Sequence, residues 1–136
     1  MQHDEFIGQV QNRANLPSRG DAEGATRATL ETLGERIPEN VAVKLASELP
    51  QEIGEHLRRT VTMAGAGSGE RFGRDEFIRR VAQRSYTDEP QAAYQSRVVL
   101  EVLRDATTSG SVNKVRDALP EDLRVLVDAG SSGSLE

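Results

Sequence analysis

The sequence contains no cysteine and no tryptophan, and only three phenylalanines and two tyrosines occur among its 136 residues. The absence of cysteine excludes disulfide bonds, thiol nucleophiles and cysteine-ligated metal clusters. The apolar runs are only a few residues long, so none is long enough to span a bilayer. Because aromatic residues are so few, a packed core must be built mainly from aliphatic side chains. A chain of this length suits one domain of ordinary size or two very small ones.

Basic residues are fewer than acidic ones: the sequence has 17 lysines and arginines and 22 acidic residues, for a net charge of −5. Each half of the chain carries more acidic than basic residues, which is not typical of a general nucleic-acid binder. The residues after Met1 do not form a signal peptide. We therefore expect a cytoplasmic protein with no membrane segment.

What the sequence does contain is an internal repeat. The segment Asp4-Glu5-Phe6-Ile7 returns 71 residues later as Asp75-Glu76-Phe77-Ile78, and Val10 and Arg13 match Val81 and Arg84 at the same offset. After a one-residue deletion the offset becomes 70. At this offset, eight further residues are identical to their counterparts in the second half: Ala22, Arg27, Leu30, Glu31, Leu33, Lys44, Leu49 and Pro50. Fourteen identities in one consistent frame indicate a duplicated unit rather than chance.

Each half is predicted to form four helices, because its apolar residues recur at helical spacing. Asp4 and Asp75 stand where the N-cap of a first helix belongs, and Pro38 fits the first turn of a third helix. No segment alternates with the period of a strand. The sequence therefore predicts an all-α fold, in which two tandem, pseudo-symmetric four-helix repeats pack as one helical bundle.

The domain boundaries follow from composition. We predict that residues 1–64 form the first helical repeat, residues 65–71 a Gly-rich linker, residues 72–129 the second repeat, and residues 130–136 a flexible tail whose last two residues resemble a cloning scar. A half of this size buries little surface alone. We therefore predict that the halves share one core across a near-twofold axis, with Phe6 and Phe77 buried. The apolar faces between the halves belong to Leu57, Val61, Leu126 and Val127.

No catalytic, cofactor-binding or metal-binding constellation stands out. The glycines at 65, 67 and 69 lack the preceding strand and the Lys-Ser/Thr pair of a phosphate loop, so a linker is the better interpretation. Glu52 and His56 share a helix face, but Leu126 occupies the position that matches His56 and adds no metal ligand. We expect no cofactor and no enzymatic activity, while a ligand pocket between the halves remains an open alternative.

Two groups of charged residues are candidates for a role. The basic cluster comprises Arg71, Arg74, Arg79, Arg80 and Arg84. It is either a solvated face or a candidate interaction surface for a phosphate backbone or an acidic partner. The pairs Arg27–Glu31 and Arg97–Glu101, four residues apart in both halves, are candidate structural pairs. As surface pairs they would contribute roughly 0.3–0.5 kcal/mol each; alternatively, they bridge to a neighbouring helix.

The whole pattern resembles a bacterial and archaeal family catalogued as domain of unknown function 2267. The residues that carry the resemblance are the Asp-Glu-Phe-Ile opening of each half, the segment from Ala25 to Arg36, and the Leu-Pro steps at Leu49-Pro50 and Leu119-Pro120. The resemblance covers nearly everything from Asp4 to Asp128. It implies a helical fold and assigns no activity, cofactor or catalytic residue.

The first two helices of each half also resemble the N-terminal hairpin of the HU/IHF histone-like proteins, in which hairpins of two chains intertwine. The β-arm of that family has no equivalent here, so the resemblance implies an intramolecular pseudo-dimer rather than DNA bending. The leading hypothesis is a non-enzymatic protein-interaction or scaffold module with a protein partner. The alternative is a nucleic-acid-associated protein that uses the arginines of residues 71–84.

Overall fold

Most of the residues that the structure describes are helical. A computed structural model describes residues 1–64 and 70–130, including the side chains of residues 1–60 and 70–130. These residues form eight α-helices and no strand, so the predicted all-α fold is confirmed. The helices are α1 (His3–Arg13), α2 (Arg19–Arg36), α3 (Glu39–Ser47), α4 (Gln51–Ala64), α5 (Arg74–Ser85), α6 (Glu89–Ala106), α7 (Ser109–Asp117) and α8 (Glu121–Ala129). None of these helices is long and apolar enough to cross a membrane.

The helix boundaries follow the offsets of the sequence repeat. Helices α2 and α3 begin and end 70 residues before α6 and α7. Asn15 and Tyr86, which are 71 residues apart, both adopt left-handed backbone, with φ of 59° and 58°. Ser18 and Asp88, which are 70 residues apart, are the N-caps of α2 and α6. The one-residue deletion therefore falls in the turn that precedes each of these long helices.

The caps differ in part from the prediction. Ser18 and Asp88 accept hydrogen bonds from the backbone N–H groups of Asp21 and Gln91, at 3.1 and 2.9 Å. The expectation that Asp4 and Asp75 cap α1 and α5 is wrong, because these helices begin earlier, at the N-caps Gln2 and Gly73. Both aspartates lie instead in the first turn, where a carboxylate stabilises the positive end of the helix dipole. Pro38 is likewise the N-cap of α3 rather than a residue of its first turn.

One hydrophobic core includes residues of both halves. Phe6 and Phe77 are both fully buried in it, as their shared repeat position predicts. Helix α2 packs against α1 and α4 of its own half and against α5 and α6 of the other half. The two halves are thus joined chiefly through α2.

Parts of the prediction fall outside the described residues. Residues 65–69 of the predicted linker and residues 131–136 of the predicted tail are among them, and so is the side chain of Val61. The other three residues of the predicted apolar faces, Leu57, Leu126 and Val127, are buried. Where the described chain resumes, the Glu70 N–H donates to the Glu35 carbonyl of α2 at 2.8 Å.

A single carboxylate ties the end of α3 to the start of α7. Glu48 accepts hydrogen bonds from Lys44 Nζ and from the Thr108 N–H, both at 2.8 Å, and from the Ser111 hydroxyl. These donors favour the charged form, and the hydrogen bond from Lys44 contributes most. The pKa of Glu48 is consequently lowered to about 2.

Glu48 should make the stability of the chain dependent on pH. Because its pKa is lower in the folded state, its contribution is complete above its ordinary pKa of 4.5 and is lost as the pH falls toward 2. We expect Glu48→Gln to lower the free energy of unfolding by about 1–2 kcal/mol at pH 7, and the difference from wild type to vanish near pH 2. Urea unfolding followed by circular dichroism at several pH values measures this difference.

Glu55→Gln is the matched control, since the Glu55 carboxylate lies 3.9 Å from Arg58 and is 48% exposed. That variant should stay within about 0.5 kcal/mol of wild type at every pH. A Glu48→Gln effect that did not change with pH would contradict this assignment.

Candidate functional site

Four of the five arginines of the predicted basic cluster lie within salt-bridge distance of acidic residues, and the loosest of these pairs joins Arg74 to Asp75 at 3.8 Å. Arg80 lies 2.9, 3.1 and 3.3 Å from Glu76, Glu35 and Glu70, and its guanidinium stacks 4.0 Å from the centre of the Phe72 ring. Two other salt bridges of the cluster join Arg84 to Glu35 and Arg79 to Glu76. Arg71 is exposed, and Arg74 has its side chain 36% exposed. The arrangement holds α5 against α2 and leaves little unpaired positive charge on this face.

Glu35 is the centre of this network. It accepts two parallel hydrogen bonds from Arg84, at 2.8 and 2.7 Å, which is the strong bidentate geometry of a guanidinium and a carboxylate. Burial alone would raise the pKa of Glu35, but the hydrogen bonds from Arg84 and Arg80 outweigh it and lower the pKa below its ordinary value. The hydrogen bonds that favour the charged form of Glu35 thus join α5 of the second half to α2 of the first.

Three of the four residues of the predicted structural pairs contact residues on other elements. Glu31 contacts Arg59 at 2.6 Å and Arg84 at 3.7 Å, and Glu101 contacts Arg13 at 2.7 Å, so both glutamates bridge to other helices. Arg97 is buried and donates to the Gly130 carbonyl at 2.9 Å. Arg27 is exposed, and no hydrogen bond or ion pair joins it to a described residue.

His56 lies in a groove of about 440 Å³ that belongs to the first half alone. The lining residues are His3, Ile7, Gly20, Glu23, Gly24, Arg27, Glu52 and His56. Burial, and then the nearby charge of Arg59, lower the pKa of His56, so the ring is neutral at pH 7. In the part of the chain that the structure describes, no three histidine or acidic side chains are grouped to hold a metal ion.

A second groove, of about 400 Å³, lies between the two halves. We call it the inter-half groove. One wall is the α1–α2 turn with the first turns of α2, and the other is the end of α5 with the start of α6. The wall residues are Leu16, Pro17, Gly20, Asp21, Gly24, Ala25 and Arg27 on one side, and Arg84, Ser85, Tyr86, Thr87, Gln91 and Gln95 on the other.

Tyr86 stands on the rim of the inter-half groove in a conformation that tyrosine disfavours. Its φ of 58° places it in the left-handed region, where a bulky side chain is an outlier and asparagine is much better tolerated. Asparagine is the residue at the equivalent turn, Asn15. The Tyr86 side chain is 89% exposed, so it does not stabilise the core in return. Local strain without a packing gain is typical of residues retained for function.

Three other residues of the groove are of types that neither packing nor hydrogen bonding in the folded chain requires. Gln95 is 3% exposed, and its side-chain oxygen has no hydrogen-bond partner among the described residues. In α2, a Cβ at Gly24 would meet nothing within 4 Å, and one at Gly20 would meet only the Ser18 hydroxyl at 3.8 Å. Helical glycine costs about 0.5–1 kcal/mol relative to alanine, and packing requires neither residue. The groove therefore has open space beside Gly20 and Gly24, and it has a buried oxygen at Gln95 without a hydrogen-bond partner among the described residues.

A protein-family model matches nearly the whole chain, including the inter-half groove. The model of an uncharacterized conserved protein family, DUF2267, matches residues 3–126, which include every residue that lines the groove. The chain belongs to the DUF2267 family. The resemblance indicated by the two Asp-Glu-Phe-Ile segments is therefore confirmed. No curated protein matches the chain.

In this DUF2267 chain, Tyr86, Gln95 and Gly24 were not predicted as candidate residues from the sequence. Tyr86 could have been found by comparing the halves, because the repeat aligns it with Asn15 at the turn. Gln95 carried no signal, since helical spacing alone gives no indication that an amide is buried without a partner. The groove itself depends on how the two halves pack, which spacing within a helix does not reveal.

Proposed function

We propose that this DUF2267 chain is a non-enzymatic interaction module that holds a segment of another protein in the inter-half groove. The observation that carries the proposal is Tyr86, an exposed aromatic residue kept in strained backbone on the rim. Aromatic residues are enriched among those that dominate binding energy at protein interfaces. A groove of about 400 Å³ offers room for one or two side chains of a partner.

The polar groups around the groove support binding rather than catalysis. Ser85 donates its hydroxyl to the Val81 carbonyl at 2.7 Å, and among the described residues no histidine lines this groove to activate it. Arg84 is held by Glu35 rather than extended toward a substrate.

Selection of a random-peptide library on the full chain tests this proposal. We expect selected peptides to bind Tyr86→Asn at least about tenfold more weakly than wild type, as for a binding hot spot. The same variant should raise the free energy of unfolding by about 0.5–1 kcal/mol, because asparagine fits left-handed backbone better. A variant that gains stability and loses binding cannot have lost binding by unfolding.

Val43→Asn is the matched control, because Val43 is another exposed large apolar residue, 49% exposed, on α3 and away from the groove. It should leave peptide affinity unchanged. Peptides whose affinity is equal for wild type and Tyr86→Asn, or a library that yields no binders, would overturn the proposal.

A further inference from the structure

The second half contains a tyrosine whose surroundings indicate what the inter-half groove can bind. The Tyr94 hydroxyl, on α6, donates to the Arg13 carbonyl at the end of α1, at 2.9 Å. The guanidinium carbon of Arg97 lies 5.7 Å from the centre of the Tyr94 ring. This distance suits a cation–π contact. The Tyr94 ring thus lies between α6 and the end of α1. The Arg97 guanidinium lies at its face, and the Arg13 carbonyl accepts a hydrogen bond from its hydroxyl.

The repeat equivalents of Tyr94, Arg97 and Arg13 all line the inter-half groove, but the equivalent of Tyr94 is a glycine. Gly24 and Arg27 are 70 residues before Tyr94 and Arg97, and Arg84 is 71 residues after Arg13. All three line the groove. Glycine leaves open space where the counterpart carries a ring, since a Cβ at Gly24 meets nothing within 4 Å.

The two polar groups that serve Tyr94 have unused equivalents in the groove. No hydrogen bond or ion pair joins the Arg27 guanidinium to a described residue. The Arg84 carbonyl, in the last turn of α5, receives no hydrogen bond from a described residue, as is usual for carbonyls at a helix end. The cation and the acceptor are therefore both available to a ring that enters from outside.

We propose that the inter-half groove binds a tyrosine side chain of the partner protein. Its ring lies beside Gly24 with Arg27 at its face, and its hydroxyl donates to the Arg84 carbonyl, as Tyr94 does to Arg13. This inference rests on the proposed function and names the group that the partner inserts. It also explains why α2 keeps a destabilising glycine at a position that packing leaves free.

The test uses N-acetyl-L-tyrosinamide, an uncharged capped tyrosine, titrated into the full chain and followed by amide chemical shifts. We expect the shift changes to concentrate in residues 20–27 and 84–87. N-acetyl-L-phenylalaninamide, which lacks only the hydroxyl, should bind about three- to tenfold more weakly, the range that one neutral hydrogen bond contributes. Equal affinity of the two probes, or shift changes elsewhere, would overturn the proposal.

Gly24→Tyr supplies the ring from within the chain and should abolish binding of the capped tyrosine. Gly8→Tyr is its matched control, because Gly8 is also a helical glycine with nothing within 4 Å of its Cβ position, and it lies outside the groove. Circular dichroism checks the folding of both variants. Binding that survives in Gly24→Tyr would contradict the assigned position of the ring.

Arg27→Gln provides a second variant that does not depend on Gly24→Tyr being folded. It should weaken binding several-fold, whereas Arg19→Gln, on the same helix and outside the groove, should not change it. Unchanged affinity in Arg27→Gln would count against the cation contact and hence against the proposed pose.

The outcomes also separate this inference from the proposed function. If the capped tyrosine fails to bind while library peptides still depend on Tyr86, the inference is wrong and the interaction module stands. If the capped tyrosine binds as described while no peptide is selected, the phenol site is supported and the protein-interaction function is overturned.

Discussion

Replacing Phe77 with alanine will lower the free energy of unfolding by about 3–5 kcal/mol, the usual cost of removing a buried phenylalanine ring. The ring is fully buried in the core that both halves share. Phe6→Ala, at the matching position of the first half, should cost a similar amount. Because the core is shared, each variant should unfold in one transition, which chemical denaturation followed by circular dichroism and by fluorescence of the tyrosines can measure.

Tyr86→Ala is the control for these aromatic deletions, because that side chain is 89% exposed. Its free energy of unfolding should change by no more than about 0.5 kcal/mol in either direction. Losses below about 1 kcal/mol for both phenylalanines would contradict the burial of these residues.

A single added methyl group at Gly34 will destabilise the chain by about 2–4 kcal/mol, although alanine is the better helix former by about 1 kcal/mol. A Cβ at Gly34 would lie 2.1 Å from the Thr60 hydroxyl and 3.0 Å from the Leu57 carbonyl. The carbonyl belongs to the backbone of α4 and cannot rotate away. Close approach of α2 and α4 therefore requires glycine here, and thermal or urea unfolding of Gly34→Ala measures the cost.

The control is Gly24→Ala in the same helix, which should raise the free energy of unfolding by about 0.5–1 kcal/mol because its Cβ has open space. Thr60→Ala should reduce the cost of Gly34→Ala by about 1 kcal/mol or more, since it removes the nearer of the two clashing atoms. Stabilisation by Gly34→Ala would show that α2 and α4 are farther apart than the structure places them.

The fold could be predicted from the sequence because the spacing of apolar residues shows which face of each helix is buried. The stripes that include Phe6 and Phe77 therefore located the core correctly. The caps at Asp4 and Asp75 were misassigned because aspartate favours both the N-cap and the first turn, so residue type alone cannot separate these positions.

The candidate site was less accessible, because spacing within one helix does not show which other helices lie beside it. Glu31 has an arginine four residues away in sequence, yet its partners are Arg59 and Arg84 on other helices. The basic cluster had a positive charge in sequence, but Glu35 of the first half reaches Arg80 and Arg84 across the bundle. Long-range packing, rather than local composition, decides which charges remain unpaired.

The central claim is that the two halves form one cooperative body, since the inter-half groove exists only while they are packed together. Expression of residues 1–64 and 70–130 as separate chains tests it most directly. The account predicts that neither chain alone unfolds cooperatively, and that mixing them restores a cooperative transition and the shift changes induced by the capped tyrosine. If each chain alone unfolded cooperatively with the stability of the whole, the shared core and the groove built on it would both be contradicted.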